Sequence, residues 1–134
     1  MASKLQLTGG CLCGAIGYRL GGNFRAHYCH CGMCRRATGS AFAVLVWTDR
    51  ENLQWTGPEP EQYRSSPIAT RGFCRQCGTS LTLHYDGGKE IAVHAGSLDQ
   101  PERTVPQYHY GSEGRLPWVD CGRGLPEHHT KERW

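Results

Sequence analysis

Cys29-His30-Cys31-Gly32-Met33-Cys34 puts three thiols into six residues, and its reading decides the fold. Two further pairs surround it in the chain, Cys11-Leu12-Cys13 and Cys74-Arg75-Gln76-Cys77. Cysteines one to four residues apart supply tetrahedral zinc ligands without straining the backbone. Seven clustered thiols make one complete four-sulfur site and leave three sulfurs over. A closed site holds a fold together, whereas a site with an open position can do chemistry.

The local triplet Cys29, Cys31 and Cys34 can reach one metal from a single loop, which leaves Cys11, Cys13, Cys74 and Cys77 for the other. Other partitions of the sulfurs exist, and this one is the most economical. The four-sulfur set clips together segments about sixty residues apart, which restricts the unfolded chain, and structural zinc contributes folding free energy directly. The triplet has two readings. A fourth ligand such as His27, His30 or Cys121 would close it into a second structural zinc. An open fourth position would host water or an exogenous thiol, with Arg35 and Arg36 offsetting the sulfur charge or gripping a carboxylate.

The 134 residues fit a single domain spanning 1–134, with a core over about 5–126 and a tail at 127–134. Mean hydropathy is −0.56, and no apolar run approaches membrane-span length. Met1 to Thr8 lacks the apolar stretch of a secretory signal, so thiolates in a reducing cytoplasm are expected rather than disulfides. A formal charge of +3 with dispersed basic residues points to no nucleic-acid partner.

The rest of the chain reads as short strands with glycine punctuation, hence a mostly β fold stapled by zinc. Leu5 and Leu7 alternate with polar neighbours before a turn at Gly9-Gly10. Ile16, Tyr18 and Leu20 share one strand face, and Phe24, Ala26 and Tyr28 deliver the chain to Cys29. Ala41 to Trp47 is a nearly continuous apolar run, expected as a buried strand although pattern alone also allows a helix. Weaker strands are expected at Leu53 to Trp55, Tyr63 to Ser65 and Ile68 to Phe73. Leu81 to Tyr85 and Glu90 to His94 flank Asp86-Gly87-Gly88 as the clearest hairpin. A short strand near Gln107 to Tyr110, an irregular tail and one or two helical turns at Arg35 to Ser40 complete the expectation.

Three stretches carry a family resemblance: Gly10-Cys11-Leu12-Cys13-Gly14, Cys29 to Arg36 with Gly39, and Arg71-Gly72-Phe73-Cys74-Arg75-Gln76-Cys77-Gly78. In order and spacing they resemble the glutathione-dependent formaldehyde-activating enzyme family, which also includes the centromere protein V domain. The resemblance runs from about Leu5 to Pro126. It implies an Mss4-like β fold, a structural zinc on Cys11, Cys13, Cys74 and Cys77, and a second, catalytic zinc on Cys29, Cys31 and Cys34. It also implies a carbon–sulfur lyase of the S-(hydroxymethyl)glutathione synthase type, with glutathione as co-substrate and a small aldehyde as partner.

Family members often place histidines in the short strand near the end, and His109 is the one that matches, which implies a place for it in the catalytic site. Cys121 lies outside the three motifs and reads as an incidental thiol, an auxiliary ligand or a redox cysteine. His128 and His129 are expected in a disordered tail. Besides the lyase, two other functions fit: a non-catalytic zinc-binding interaction module, and a Cys121-dependent redox enzyme on the same fold.

Overall fold

The computed structural model describes residues 6–133, so Leu5 of the first expected strand lies outside it. Its central element is β4 (Ala43–Asp49), whose run Ala-Val-Leu-Val-Trp-Thr-Asp is the expected buried strand. Leu45 and Trp47 of β4 enter one apolar cluster while Val46 enters another. A strand buried on both faces needs apolar residues at consecutive positions, which is why this run shows no alternation.

β4 sits inside an eight-stranded sheet. On one side lie β3 (Arg25–Cys29), β10 (His109–Tyr110) and β11 (Glu127–His128). On the other lie β9 (Glu90–His94), β8 (Ser80–Tyr85), β7 (Ala69–Phe73) and β6 (Glu61–Ser66). Most pairs are antiparallel, but β10 runs parallel to both β3 and β11. The expected hairpin is present, with Thr82 opposite Val93 and Leu83 opposite Ala92. A register shift where β7 meets β8 carries the pairing from Gly72–Thr82 to Phe73–Ser80. Leu81 is the extra residue, and the bulge lets Leu81 and Leu83 serve opposite clusters despite their spacing of two.

The second sheet has three strands, β1 (Leu7–Gly10), β2 (Gly17–Leu20) and β5 (Leu53–Trp55), in antiparallel order β1-β2-β5. Leu7, Tyr18 and Leu20 pack with Val46, Leu81 and Val93 in the larger core between the sheets. The smaller cluster, on the other face of the large sheet, holds Cys29, Cys34, Leu45, Trp47 and Leu83.

Three expectations are corrected. Gly9 and Gly10 belong to β1 rather than to a turn. The Tyr18 ring lies 2.5 Å from where a Gly9 Cβ would stand, so glycine is present for close approach. The helix covers Gly32–Thr38, starting three residues before Arg35, because the Cys31 sulfur accepts the Cys34 N–H at 3.3 Å as an N-cap. The tail is not irregular throughout. His109 N–H donates to Pro126 O, and Glu127–His128 forms β11 on β10. No helix among the described residues is long and apolar enough to cross a membrane.

Candidate metal centres and cavity

The sulfurs gather in two sets, Cys11 with Cys13, Cys74 and Cys77, and Cys29 with Cys31 and Cys34. A tetrahedron with Zn–S bonds of about 2.3 Å has sulfur–sulfur edges of about 3.8 Å. Cys11–Cys13 at 3.6 Å, Cys13–Cys74 at 3.8 Å and Cys29–Cys31 at 3.6 Å all suit that figure. Both donor sets therefore fit a tetrahedral divalent metal.

The four-sulfur set is held by the turn after β1 and the knuckle between β7 and β8. Ile16 N–H donates to the Cys11 sulfur at 3.3 Å, and the Thr79 hydroxyl meets the Cys77 sulfur at 3.1 Å. Thr79 also accepts Leu12 N–H, tying the two segments together. The Thr79 hydroxyl and amide lower the Cys77 thiol to about 5. This cluster abuts the larger core through buried Cys11 and Cys74.

The triplet faces a cavity of about 670 Å³ on the opposite side of the large sheet. The pleat builds the wall. Every second residue of five strands lines it: Arg25, His27 and Cys29; Leu45 and Trp47; Ala69 and Arg71; Leu83 and Tyr85; then Tyr108 and Tyr110 around β10. The helix contributes Met33, Cys34 and Arg36, and the chain near its end contributes Thr130 and Glu132. The buried floor is apolar apart from the sulfurs and His27, whereas Arg36 and Lys89 are exposed at the rim. Neither joins an ion pair with a described residue, but Arg25 is held by Glu90 at 2.6 Å and lies over the Trp47 ring.

Three close thiols compete for charge. Hydrogen bonds from Cys29 and then Cys34 push the Cys31 thiol far below its ordinary value, and the contact with Cys31 pushes Cys29 up. Arg71 answers part of that charge: both its terminal nitrogens donate to the Cys34 sulfur, at 3.7 and 3.6 Å. Arg35, expected beside Arg36 in this role, is absent from the cavity wall and keeps its Nε buried without a partner. Arg71 was visible in the third motif, but nothing local to it signalled which sulfur it would meet.

Neither histidine expected as a fourth ligand gathers with the triplet: both nitrogens of His27 are engaged, whereas His30 engages only Nε2 and keeps its buried Nδ1 without a partner. Trp47 Nε1–H, which can only donate, reaches His27 Nε2 at 2.8 Å, so that nitrogen carries the lone pair. His27 Nδ1 therefore bears the proton and donates to Tyr28 O at 3.0 Å. Burial lowers its pKa, which keeps it neutral. His109 is fully buried and turned to the other face of β10, stacked on Tyr28 at 4.8 Å. Its Nε2 donates to Gly122 O at 2.8 Å, so its Nδ1 accepts from His30 Nε2 at 2.8 Å. Burial, with His109 beside it, lowers His30 to about 4. The placement of His109 in the catalytic site is thus corrected: the pleat directs Tyr108 and Tyr110 into the cavity and His109 away from it. Cys121, half-buried, joins neither sulfur set.

Tyr110 and Glu132, not singled out by sequence reasoning, meet at the wall. Tyr110 donates its hydroxyl to Glu132 at 2.7 Å and accepts Lys131 N–H at 2.8 Å. Burial raises the Tyr110 phenol to about 12.

Known proteins resemble this chain in sequence and in fold. A putative glutathione-dependent formaldehyde-activating enzyme of Halomonas elongata is 26% identical, covering 96% of this chain and 94% of that one. An uncharacterized lyase of Schizosaccharomyces pombe is 34% identical over 63% of this chain, and the match spans 61% of the yeast protein. A putative enzyme of the same description from Aspergillus terreus is 32% identical, over 61% of this chain and 46% of that one. The crystal structure of a Rhodobacter sphaeroides protein shares the fold, with a TM-score of 0.56 over 90% of this chain and 98% of that one, at 20% identity. The profile of the glutathione-dependent formaldehyde-activating enzymes matches residues 6–112, well over half the chain, and the chain belongs to that family.

Proposed function

We propose that the protein is a zinc-dependent carbon–sulfur lyase that makes and breaks the adduct between glutathione, or a closely related thiol, and an aldehyde. The observation that carries this reading is the three-sulfur set opening on a cavity whose rim is cationic and whose floor is apolar. The family and the lyase among its relatives support it.

Cys11, Cys13, Cys74 and Cys77 would hold a structural zinc, and Cys29, Cys31 and Cys34 a second one with its fourth position toward the cavity. Zinc there would keep an incoming thiol deprotonated near neutral pH. The chain's own residues do the remaining work. Arg71 offsets the anionic sulfurs, so that a further thiolate is tolerated among them. Arg36 and Lys89 suit the carboxylates of glutathione, and Glu132 suits its ammonium group. The fixed His27–Trp47 pair forms a rigid wall without supplying a base.

In the addition direction the thiolate sulfur forms a bond to the carbonyl carbon. The carbonyl π pair moves to oxygen, which takes the proton that the thiol gave up. The step is redox-neutral and reverses for cleavage. A reducing, cytoplasmic setting suits both sulfur sets.

The test is calorimetric titration of glutathione into the reduced, zinc-loaded protein. Saturable binding that disappears in Cys31→Ser supports the reading. Absence of binding to a protein holding two zinc ions would overturn it and favour an interaction module.

A further inference from the structure

We infer that the carbon attached to the thiol carries an aromatic or bulky apolar group, so that the favoured aldehyde is larger than formaldehyde. This rests on the function proposed above and deepens it. The cavity separates its chemistry by depth. Charge lies at the exposed rim, in Arg36 and Lys89, where a tripeptide thiol would leave its carboxylates. The sulfurs lie at the buried floor, in one cluster with Leu83 and Trp47, and the half-buried rings of Tyr85 and Tyr110 pack against that cluster.

A thiol whose carboxylates sit at the rim and whose sulfur reaches the triplet places its next carbon among those apolar groups. The Trp47 and Tyr85 rings stack, 10° apart with centroids at 6.0 Å, with Trp47 buried and Tyr85 half-buried in the cavity wall. A hydroxymethyl group would leave the accessible parts of the Tyr85 and Tyr110 rings facing water. The volume, about 670 Å³, lies within the range of about 300–1,000 Å³ that holds drug-sized ligands. An aryl or branched alkyl substituent would cover the wall and expel the water, and apolar burial of that size raises affinity.

The experiment compares glutathione, S-methylglutathione and S-benzylglutathione by calorimetric titration into the zinc-loaded protein. The benzyl conjugate is expected to bind at least ten-fold more tightly than the methyl conjugate, and Tyr85→Ala should cut that ratio to below about three-fold. Should Tyr85→Ala lose its metal, Tyr110→Ala serves in its place. Equal affinity of the two conjugates, with glutathione itself bound, overturns the inference and leaves the lyase reading standing. A benzyl preference untouched by the wall variant overturns the placement of the group. Failure of glutathione and both conjugates to bind overturns the inference together with the reading beneath it.

Discussion

Arg71 and Cys34 are joined by two contacts from one guanidinium to one sulfur, across 37 residues of chain. The pairing places a permanent positive charge against the three-thiol set from a strand that carries none of its sulfurs. Charge-assisted hydrogen bonds of this kind are worth about 1.5–3 kcal/mol. Arg71→Met should therefore weaken retention of the second zinc by roughly ten- to a hundred-fold. Chelator competition followed by metal analysis reads the effect, and Arg71→Lys should restore part of it, since a point charge remains but the fork does not. Equal retention in all three proteins would rule out this role.

The two sulfur sets should separate by mutation. Cys74→Ser is expected to release the structural metal and to lower Tm sharply, because that set ties the three-stranded sheet to the knuckle between β7 and β8. Cys31→Ser should lose the second metal alone and leave most of Tm intact. Serine still caps the helix at that position, so the substitution isolates metal loss from helix loss, whereas Cys31→Ala should cost about 1 kcal/mol more. Thermal melts with zinc analysis on all three variants decide the matter, and equal destabilisation by Cys74→Ser and Cys31→Ser would contradict the division.

His109 is expected to matter for stability rather than chemistry. His109→Phe keeps the stack on Tyr28 but leaves Gly122 O and His30 Nε2 without partners, at about 1–3 kcal/mol each. Gly122→Ala should be worse. A Cβ there would stand 2.6 Å from the Tyr28 ring and 2.8 Å from His109 Nε2, on a backbone with φ of 66°. Urea unfolding should report both losses, and glutathione affinity of the folded fraction of His109→Phe should match the parent protein.

Acid sensitivity should trace in part to His94. Burial, with Arg71 nearby, lowers its pKa to about 4 from the ordinary 6.5. The unfolded chain then binds a proton more readily than the folded one between those values. The stabilising contribution is complete above about pH 6.5 and is lost as pH falls toward 4. Between pH 7 and pH 5 the loss amounts to about 2 kcal/mol. Unfolding free energies from urea melts at the two pH values should differ less in His94→Gln than in the parent by that amount; an unchanged difference would assign the acid sensitivity elsewhere.

Much of the fold was legible because its signals are local. Period-two alternation marked Phe24 to Tyr28, and turn residues marked the hairpin around Asp86-Gly87. The sulfur spacing likewise anticipated both thiol sets. The cavity was not legible, since its wall depends on which face each strand turns inward. In Tyr108-His109-Tyr110 the choice of face decides whether one histidine or two tyrosines meet the site, and parallel pairing with β3, about eighty residues earlier, makes that choice. The same limit hid Arg71, whose sulfur partner lies on the helix Gly32–Thr38, and Glu132, whose partner is Tyr110. Arg35 adjoins Cys34 in the chain yet misses the cavity, whereas Arg71, 37 residues away, meets that sulfur.

All seven clustered cysteines precede residue 78, whereas Tyr108, Tyr110 and Glu132 of the cavity wall come from the last quarter of the chain. During vectorial synthesis both sulfur sets thus emerge before the cavity wall is complete. The thiols of both sets are therefore all synthesised before the residues that complete the cavity wall beside Cys29, Cys31 and Cys34. If the sulfur sets hold metal as proposed, metal content would report on the first part of the chain alone, whereas ligand binding would also require that β10 and the segment holding Glu132 have docked.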